Sequence, residues 1–549
     1  MTVLTPQRLA PVRVRGVSKT FAIPRHRSWT LKERMRHPIA SFSHDHLQAL
    51  SDVSFEIRPG EFFAVIGRNG SGKSTLLRCI AGIHEPDAGV IDVDARLAPF
   101  IELGVGFHPQ LAARDNVEVA GTLMGLRPAE ARRRFPSVIS FAELEDFVEM
   151  QLGNYSSGMQ VRLAFSTSFQ VDADLLLFDE VLAVGDELFR RKCMDTFERL
   201  IARGHTIVYV THSLETVKKF ADRVLLLDHG EVVALGEPDG VLEEYARRNR
   251  EHERMQGPAP EPDAHSAGPA ELEVPEYEVA GNGRPGAVSR LRRFVDVALV
   301  LARADFKLRY LDSIVGYLWS LAQPLLTFLV LYFIWAKLFH PGSDIPHYQL
   351  ILLLGVALFT FFSEATGHAL ASLVAKGTML RKIPFSPLAL PLSSVLTSFY
   401  VYGLTLLIAI GFILASGISP SLAWLELFPL LTLLLVYTVG VSLLLSLLYV
   451  GIRDVEPIWM VLLRLTFFLT PVFYPIELAP QGLQHALMLN PLAVVTVQAR
   501  HALIDPSAPN AIDAGGPLVL AASLGLVAAI VAAGLLLYRK QARRIAERI

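Results

Sequence analysis

The sequence is poor in cysteine, and the two it has, Cys79 and Cys193, have no partner at the spacing of a metal site or a redox motif. That excludes a disulfide framework and a cysteine-built zinc site, and both read as ordinary buried thiols. A surplus of either charge is missing too: 51 Lys and Arg stand against 53 Asp and Glu. A bulk nucleic-acid binder would carry a basic domain, so no nucleic acid is expected as a partner. The opening stretch MTVLTPQRLAPVRVRG lacks the apolar core of a secretory signal, and the first half is expected to stay in the cytosol. What the chain has in abundance is apolar sequence, 52% of 549 residues, unevenly spread. The first half mixes charged and apolar residues as a soluble α/β protein does. From about Ile314 onward the apolar runs outgrow those of a soluble helix.

The expected fold is an α/β P-loop nucleotide-binding domain followed by an all-α six-helix transmembrane domain. Residues 1–248 form the first, 249–287 a flexible linker and 288–549 the second, since this length exceeds one ordinary core. In the first domain β-branched runs alternate with helical stretches, with strands at VSFEI (Val53–Ile57), EFFAVIG, LLLFDE and TIVYVTH. Residues 22–49 interrupt this pattern with basic and His-containing sequence, read either as a solvated insertion or as a contact surface for the membrane half. The linker is rich in Pro, Gly, Ala and Glu and cannot build a core. Next, Arg292, Asp296, Arg303 and Lys307 share one helical face, opposite Phe294, Leu301 and Leu308, as in a helix lying at a membrane interface. Six spans fit the rest, near 315–338, 348–372, 389–415, 423–449, 456–475 and 517–538. Lys376, Arg381 and Lys382 follow the second span, Arg453 the fourth and Arg539, Lys540, Arg543, Arg544 and Arg548 the sixth, so both ends of this half should face the cytosol.

GRNGSGKST follows a strand and opens a helix, the setting a P-loop requires. Gly67, Asn69, Gly70, Ser71, Gly72 and Thr75 belong to the loop that wraps the phosphates with backbone N–H groups. Lys73 reaches the β and γ phosphates and Ser74 ligates Mg²⁺. Asp179 ends an apolar strand and can hold Mg²⁺ through water, while Glu180 is placed to polarise an attacking water. His212 ends another strand, where an imidazole can meet the γ phosphate. A second anion-binding turn, NYSSGMQ, opens a helix between these motifs.

In order and spacing, the P-loop, YSSGMQ, the Asp179–Glu180 pair and His212 resemble the nucleotide-binding domain of ABC transporters, whose signature normally reads LSGGQ. Here Tyr155, Ser157 and Met159 depart from that pattern, while Ser156 and Gly158 keep the hydroxyl and the tight backbone. The resemblance implies ATP and Mg²⁺ as cofactors, hydrolysis with Glu180 and His212 as catalytic residues, and a homodimer. In such a dimer Ser156, Ser157 and Gly158 serve the ATP held by the opposite P-loop. It also implies that Gln110 is the Q-loop glutamine sensing Mg²⁺ and the membrane domain, and that Asp186 is the D-loop aspartate. Phe21 either stacks on adenine or is a core residue.

IELGVGFHPQ, YSSGMQVRLAF and DEVLAVGD resemble the ATPase of bacterial exporters of lipid-linked polysaccharides such as O-antigen and teichoic acid. LRYLDSIVGYLWSLAQPL, RKIPFSPLALPL, GIRDVEPIW, TPVFYP and LNPLAVV resemble the ABC-2 type permease of the same exporters, with RKIPFSP near the segment that receives motion from the ATPase. Commonly separate, the two parts are joined here in one chain. The implied function is ATP-driven export of a polyprenyl-pyrophosphate-linked glycan across the bacterial inner membrane, in contact with membrane lipid; a drug or simple lipid is the alternative cargo. A membrane ATPase that moves nothing is a third reading, disfavoured by the intact Glu180 and His212. Arg464 stands about eight residues, ~12 Å, into the fifth span. It is read either as facing a wet path or as paired with a residue such as Glu364. Tyr317, Trp319 and Phe361 are candidate rings along that path, although core packing also explains such aromatics.

Overall fold

Strand β3 (Phe62–Ile66) shows how the first half is layered. In the computed structural model, which describes residues 11–24, 44–100, 104–179, 187–256, 287–310, 314–338 and 345–548, all five of its side chains are buried. Phe63 and Val65 enter one core with Leu175, Leu177, Val208, Val210, Leu225 and Leu227; Phe62, Ala64 and Ile66 enter another with Leu176, Phe178, Ile207, Tyr209, Val224 and Leu226. This alternation within continuous apolar runs is that of a parallel sheet covered on both faces. After β1 (Val12–Pro24) and β2 (His44–Ile57), the chain runs through β3, α1 (Lys73–Ile80), β4 (Ala88–Val93), β5 (Leu97–Phe100), α2 (Ala113–Met124), α3 (Pro128–Ala142) and α4 (Ser157–Ser168). It continues with β6 (Leu175–Asp179), α5 (Glu187–Ala202), β7 (Thr206–Val210), α6 (Leu214–Phe220), β8 (Arg223–Asp228), β9 (Glu231–Gly236) and α7 (Pro238–Gln256). The main sheet has the order β5-β6-β7-β3-β8-β9, parallel except for β9, and a smaller antiparallel sheet has the order β2-β1-β4. Helices α2–α4 gather around their own core of Val117, Phe135, Ile139, Tyr155 and Leu163.

Both cysteines are buried, and burial pushes the Cys193 thiol far above its ordinary pKa, as expected of an inert core residue. The expected linker begins late, because α7 continues to Gln256; residues 257–286 lie outside the described residues, as do 25–43 of the insertion, Glu180 and Asp186.

Helix α8 (Ala287–Tyr310) buries Val297, Val300, Leu301 and Ala304 and exposes Arg292 and Arg303, while Phe294, Asp296, Lys307 and Leu308 are half-buried, so the two expected faces are only partly separated. The chain divides into two compact units, with the cut at Val297 and with Thr378–Phe385 counted in the first. The second unit contains α9 (Ile314–Tyr332), α10 (Tyr348–Ala375), α12 (Ala389–Ala415), α13 (Leu427–Gly451), α14 (Val455–Leu469), α15 (Gln481–Leu487), α16 (Pro491–Leu503) and α17 (Ala511–Arg548), while the short α11 (Gly377–Lys382) lies at the boundary.

Among the described residues four stretches are long and apolar enough to cross a membrane: Tyr348–Ala375, Ala389–Ala415, Leu422–Gly451 and Ala511–Gln541. They match the second, third, fourth and sixth expected spans. The other two differ. The first is α9 followed by a π-helical turn at Phe333–Leu338, with an apolar part of only Pro324–Trp335. The fifth is α14, whose 15 residues reach ~22 Å at 1.5 Å per residue, short of the ~30 Å hydrocarbon core. It stops where TPVFYP begins, because Pro471 and Pro475 cannot continue the ladder. The returning chain is held by the Tyr348 hydroxyl donating to Phe473 O (2.6 Å) and by Asn490 Nδ2 donating to Thr470 Oγ1 (2.9 Å).

Candidate functional site

The P-loop joins β3 to α1, and two of its glycines, Gly67 and Gly72, are required by close backbone approaches. A Cβ on Gly67 would lie 2.2 Å from Leu227 O, and one on Gly72 (φ 101°) would lie 2.4 Å from Ala49 O. Lys73 is buried and donates to Gly67 O (2.8 Å) and Arg68 O (2.9 Å), holding its ammonium group against the loop. Ser71 Oγ is buried without a hydrogen-bond partner among the described residues. A buried hydroxyl left unpaired is costly. Together with backbone that admits no side chain and a fixed ammonium, it fits a loop built to take an anion such as a nucleotide phosphate. Asn69 and Gly70 are exposed, and Ser74 and Thr75 are half-buried on the first turn of α1.

Sheet register gathers the remaining strand-end residues. Asp179 pairs with Val210 across β6–β7, and Val210 pairs with Val65 across β7–β3. Asp179, Thr211–His212 and Gly67 therefore leave three adjacent parallel strands along one sheet edge, the carboxyl edge where open α/β sheets bind ligands. His212 is exposed there and Asp179 half-buried.

The segment around Gln110 is built by a residue that the sequence did not single out. Asn116 is fully buried; its Nδ2 donates to His108 O (3.1 Å), Leu111 O (2.9 Å) and Ala112 O (3.1 Å), and its Oδ1 accepts from His108 N (2.6 Å). Gln110, inside this clamp, is exposed. The clamped loop in turn braces the segment leading into the Ser156–Gly158 turn, with Leu152 N donating to Leu111 O (3.0 Å) and Gly153 N to Pro109 O (2.6 Å). A legible signal existed in the form of an Asn on the first turn of a helix, within hydrogen-bonding range of a preceding loop.

Ser156 caps α4, its Oγ accepting from Met159 N (3.2 Å). Tyr155 is buried, with its hydroxyl donating to Phe147 O (2.7 Å), and burial raises its pKa. The aromatic departure from the usual signature is thus a packed residue of the helical core. Gln160 Nε2 donates to Leu152 O and Tyr155 O, both at 3.2 Å, bracing the turn one residue beyond Met159. Ser156, Ser157 and Gly158 are exposed, and beyond the turn's own neighbouring residues the one described atom within 4 Å of a Cβ built on Gly158 is Ser156 Oγ at 3.9 Å.

Phe21 is half-buried on β1 and meets His84 edge-on at 5.4 Å, with Lys19 Nζ 5.5 Å from its ring centroid. Lys19 donates to Glu85 O (2.8 Å) and pairs with Asp87 (3.5 Å), while Thr20 N donates to Asp87 Oδ2 (2.7 Å). Two further contacts of the first unit touch α2 and the turn before Gln110. Arg293 Nη2 donates to Leu123 O (3.2 Å) at the C-terminal end of α2, and Met379 Cε lies 3.6 Å from a Cβ built on Gly106.

In the membrane half, the candidate path residues separate. Phe361 is 3% exposed and packs on Phe399 and Tyr402 at 5.9 and 4.9 Å. It is a core ring between α10 and α12, which corrects its assignment to the path. Tyr317 and Trp319 lie on α9, outside the residues whose side chains are described. Arg464 is exposed and has no hydrogen-bond or ion-pair partner among the described residues, so the pairing with Glu364 is not formed. Helix α14 buries only Leu463.

Two family models match the chain, that of the ABC transporter over residues 50–183 and that of the ABC-2 type transporter over residues 297–504. Three relatives illustrate the similarity. The ABC transporter protein AbcA of Aeromonas salmonicida is 41% identical over 232 residues, 42% of this chain and 74% of its own length. The O-antigen export system ATP-binding protein RfbB of Klebsiella pneumoniae is 40% identical over 233 residues, 42% of this chain and 94% of its own length. The teichoic acids export ATP-binding protein TagH of Bacillus cereus is 35% identical over 244 residues, 44% of this chain and 44% of its own length.

Proposed function

The chain belongs to the ABC transporter family, and from that premise we propose that two copies of it export a polyprenyl-pyrophosphate-linked glycan across the bacterial inner membrane. It is an ATP-hydrolysing membrane protein with an ABC-2 type region in the same chain. The observation that carries the paired arrangement is the turn Ser156–Gly158, capped, braced and exposed. A helix start so prepared suits an anion brought by another molecule, and a second copy's P-loop offers one. The names of relatives that serve O-antigen and teichoic acid export support the cargo.

In this reading Lys73 and the loop Gly67–Gly72 hold the phosphates, Phe21 stacks on adenine, and Asp186 meets the opposite copy. Ser74, Asp179 and Gln110 would hold Mg²⁺, which neutralises phosphate charge when bound. Glu180 polarises the attacking water and His212 meets the γ phosphate. Arg464 supports a wet path or an interface between copies, because an unpaired charge in hydrocarbon costs on the order of 2.5–3.5 kcal/mol. Its guanidinium suits a diphosphate.

The test is transport by the full chain in reconstituted vesicles offered a polyprenyl-linked glycan, a drug-like amphiphile or a simple lipid. ATP-dependent movement confined to the glycan is expected. Movement of the other cargoes with the glycan left behind overturns the assignment.

A further inference from the structure

A polar cluster on α8, α10 and α12 has no part in the ATP site. Arg309 Nη1 lies 2.7 Å from His368 Nδ1, and Ser398 Oγ lies 3.4 Å from the same nitrogen. Guanidinium only donates, so Nδ1 accepts and the ring carries its proton on Nε2. The pair thus presents two kinds of donor, the rest of the guanidinium fork and the imidazole Nε2–H, and both residues are exposed. Asp305, on the same helix as Arg309, is engaged by Lys376 at 2.6 and 2.8 Å. Among the described residues no carboxylate forms an ion pair with Arg309. Glu364 lies one turn before His368 on α10. His368 lies seven residues before Ala375, about 10 Å from the end of α10 that loop charges place in the cytosol.

We propose that Arg309 and His368 form a phosphate-binding site for a lipid headgroup at the cytosolic side of the membrane region. The ligand chemistry is a phosphate or diphosphate on an apolar tail, taken bidentately by the guanidinium with the imidazole N–H as second donor. Its source is either the cargo's own polyprenyl diphosphate, which rests on the export reading above, or an anionic lipid of the bilayer.

The experiment uses the purified full chain in nanodiscs and measures binding of farnesyl diphosphate, with farnesol as the uncharged control. In phosphatidylcholine discs the wild type should bind the diphosphate at least about tenfold more tightly than farnesol, and Arg309→Gln should remove about that factor, the size expected for charge-assisted hydrogen bonds. Arg309→Lys should fall between, His368→Leu should weaken binding severalfold, and His368→Gln, which keeps a donor, should restore much of it. Competition by phosphatidylglycerol discs, with the same dependence on Arg309, supports the site and identifies bilayer lipid as its source. Equal diphosphate binding by wild type and both Arg309 variants, at matched unfolding temperature and ATP turnover, overturns the proposal. Arg309-dependent binding in a protein that moves no glycan sinks the export reading alone, whereas glycan export with Arg309-independent binding sinks this one alone.

Discussion

His84 shows how one buried ring ties the nucleotide domain to pH. Burial first, then the nearby charges of Arg78 and Lys19, lowers its pKa from 6.5 to about 4. A histidine whose folded pKa is depressed contributes stability that is fully present above the unfolded value and lost as pH falls toward the folded one. Acidification from pH 6.5 to about 4 should therefore weaken the domain, by about 1–2 kcal/mol after allowance for solvent screening. Because His84 supports the edge of Phe21, the same change reaches the aromatic proposed to receive adenine. Unfolding midpoints of wild type and His84→Gln, measured across that window, should converge as pH falls. Parallel pH profiles would remove His84 from the account.

Among elements, α2 is held at both ends. Asn116 locks the loop before it, and Arg293 lies over its last carbonyls, where a cation meets the negative end of the helix. Truncation in Asn116→Ala leaves the loop's N–H and carbonyl groups without their buried partner, at a cost of ~1–3 kcal/mol. It also frees Gln110 and the turn resting on Pro109 and Leu111. The expected result is near-normal nucleotide binding with ATP turnover reduced severalfold, checked by nucleotide titration beside steady-state hydrolysis. Unchanged turnover would mean that the loop needs no clamp to work.

For the whole molecule, the exposed Ser156–Gly158 turn, proposed to serve the P-loop of a second copy, makes a prediction about pairing. Dimers mixed from a Lys73→Ala copy and a Ser156→Ala copy should contain one site with both defects and one with neither. One nucleotide should then be occluded per mixed dimer, where each pure variant occludes almost none. Mixed dimers no better than the pure variants would show that each copy completes its own site.

The sequence by itself determined the motifs that local order carries: a P-loop between strand and helix, acids and a histidine at strand ends, a Ser-Ser-Gly turn opening a helix, and apolar stretches long enough to span. Each depends on spacing along the chain or on side-chain periodicity, and both survive folding. Only the tertiary structure decided what depends on neighbours distant in sequence. Register placed Asp179, His212 and Gly67 on one edge, and packing sent Phe361 into the core and left Arg464 without the partner Glu364. The shortness of α14 came from the prolines that follow it and from the hydrogen bonds that hold the returning chain. Hydropathy averages across such a break and cannot see where the backbone ladder stops.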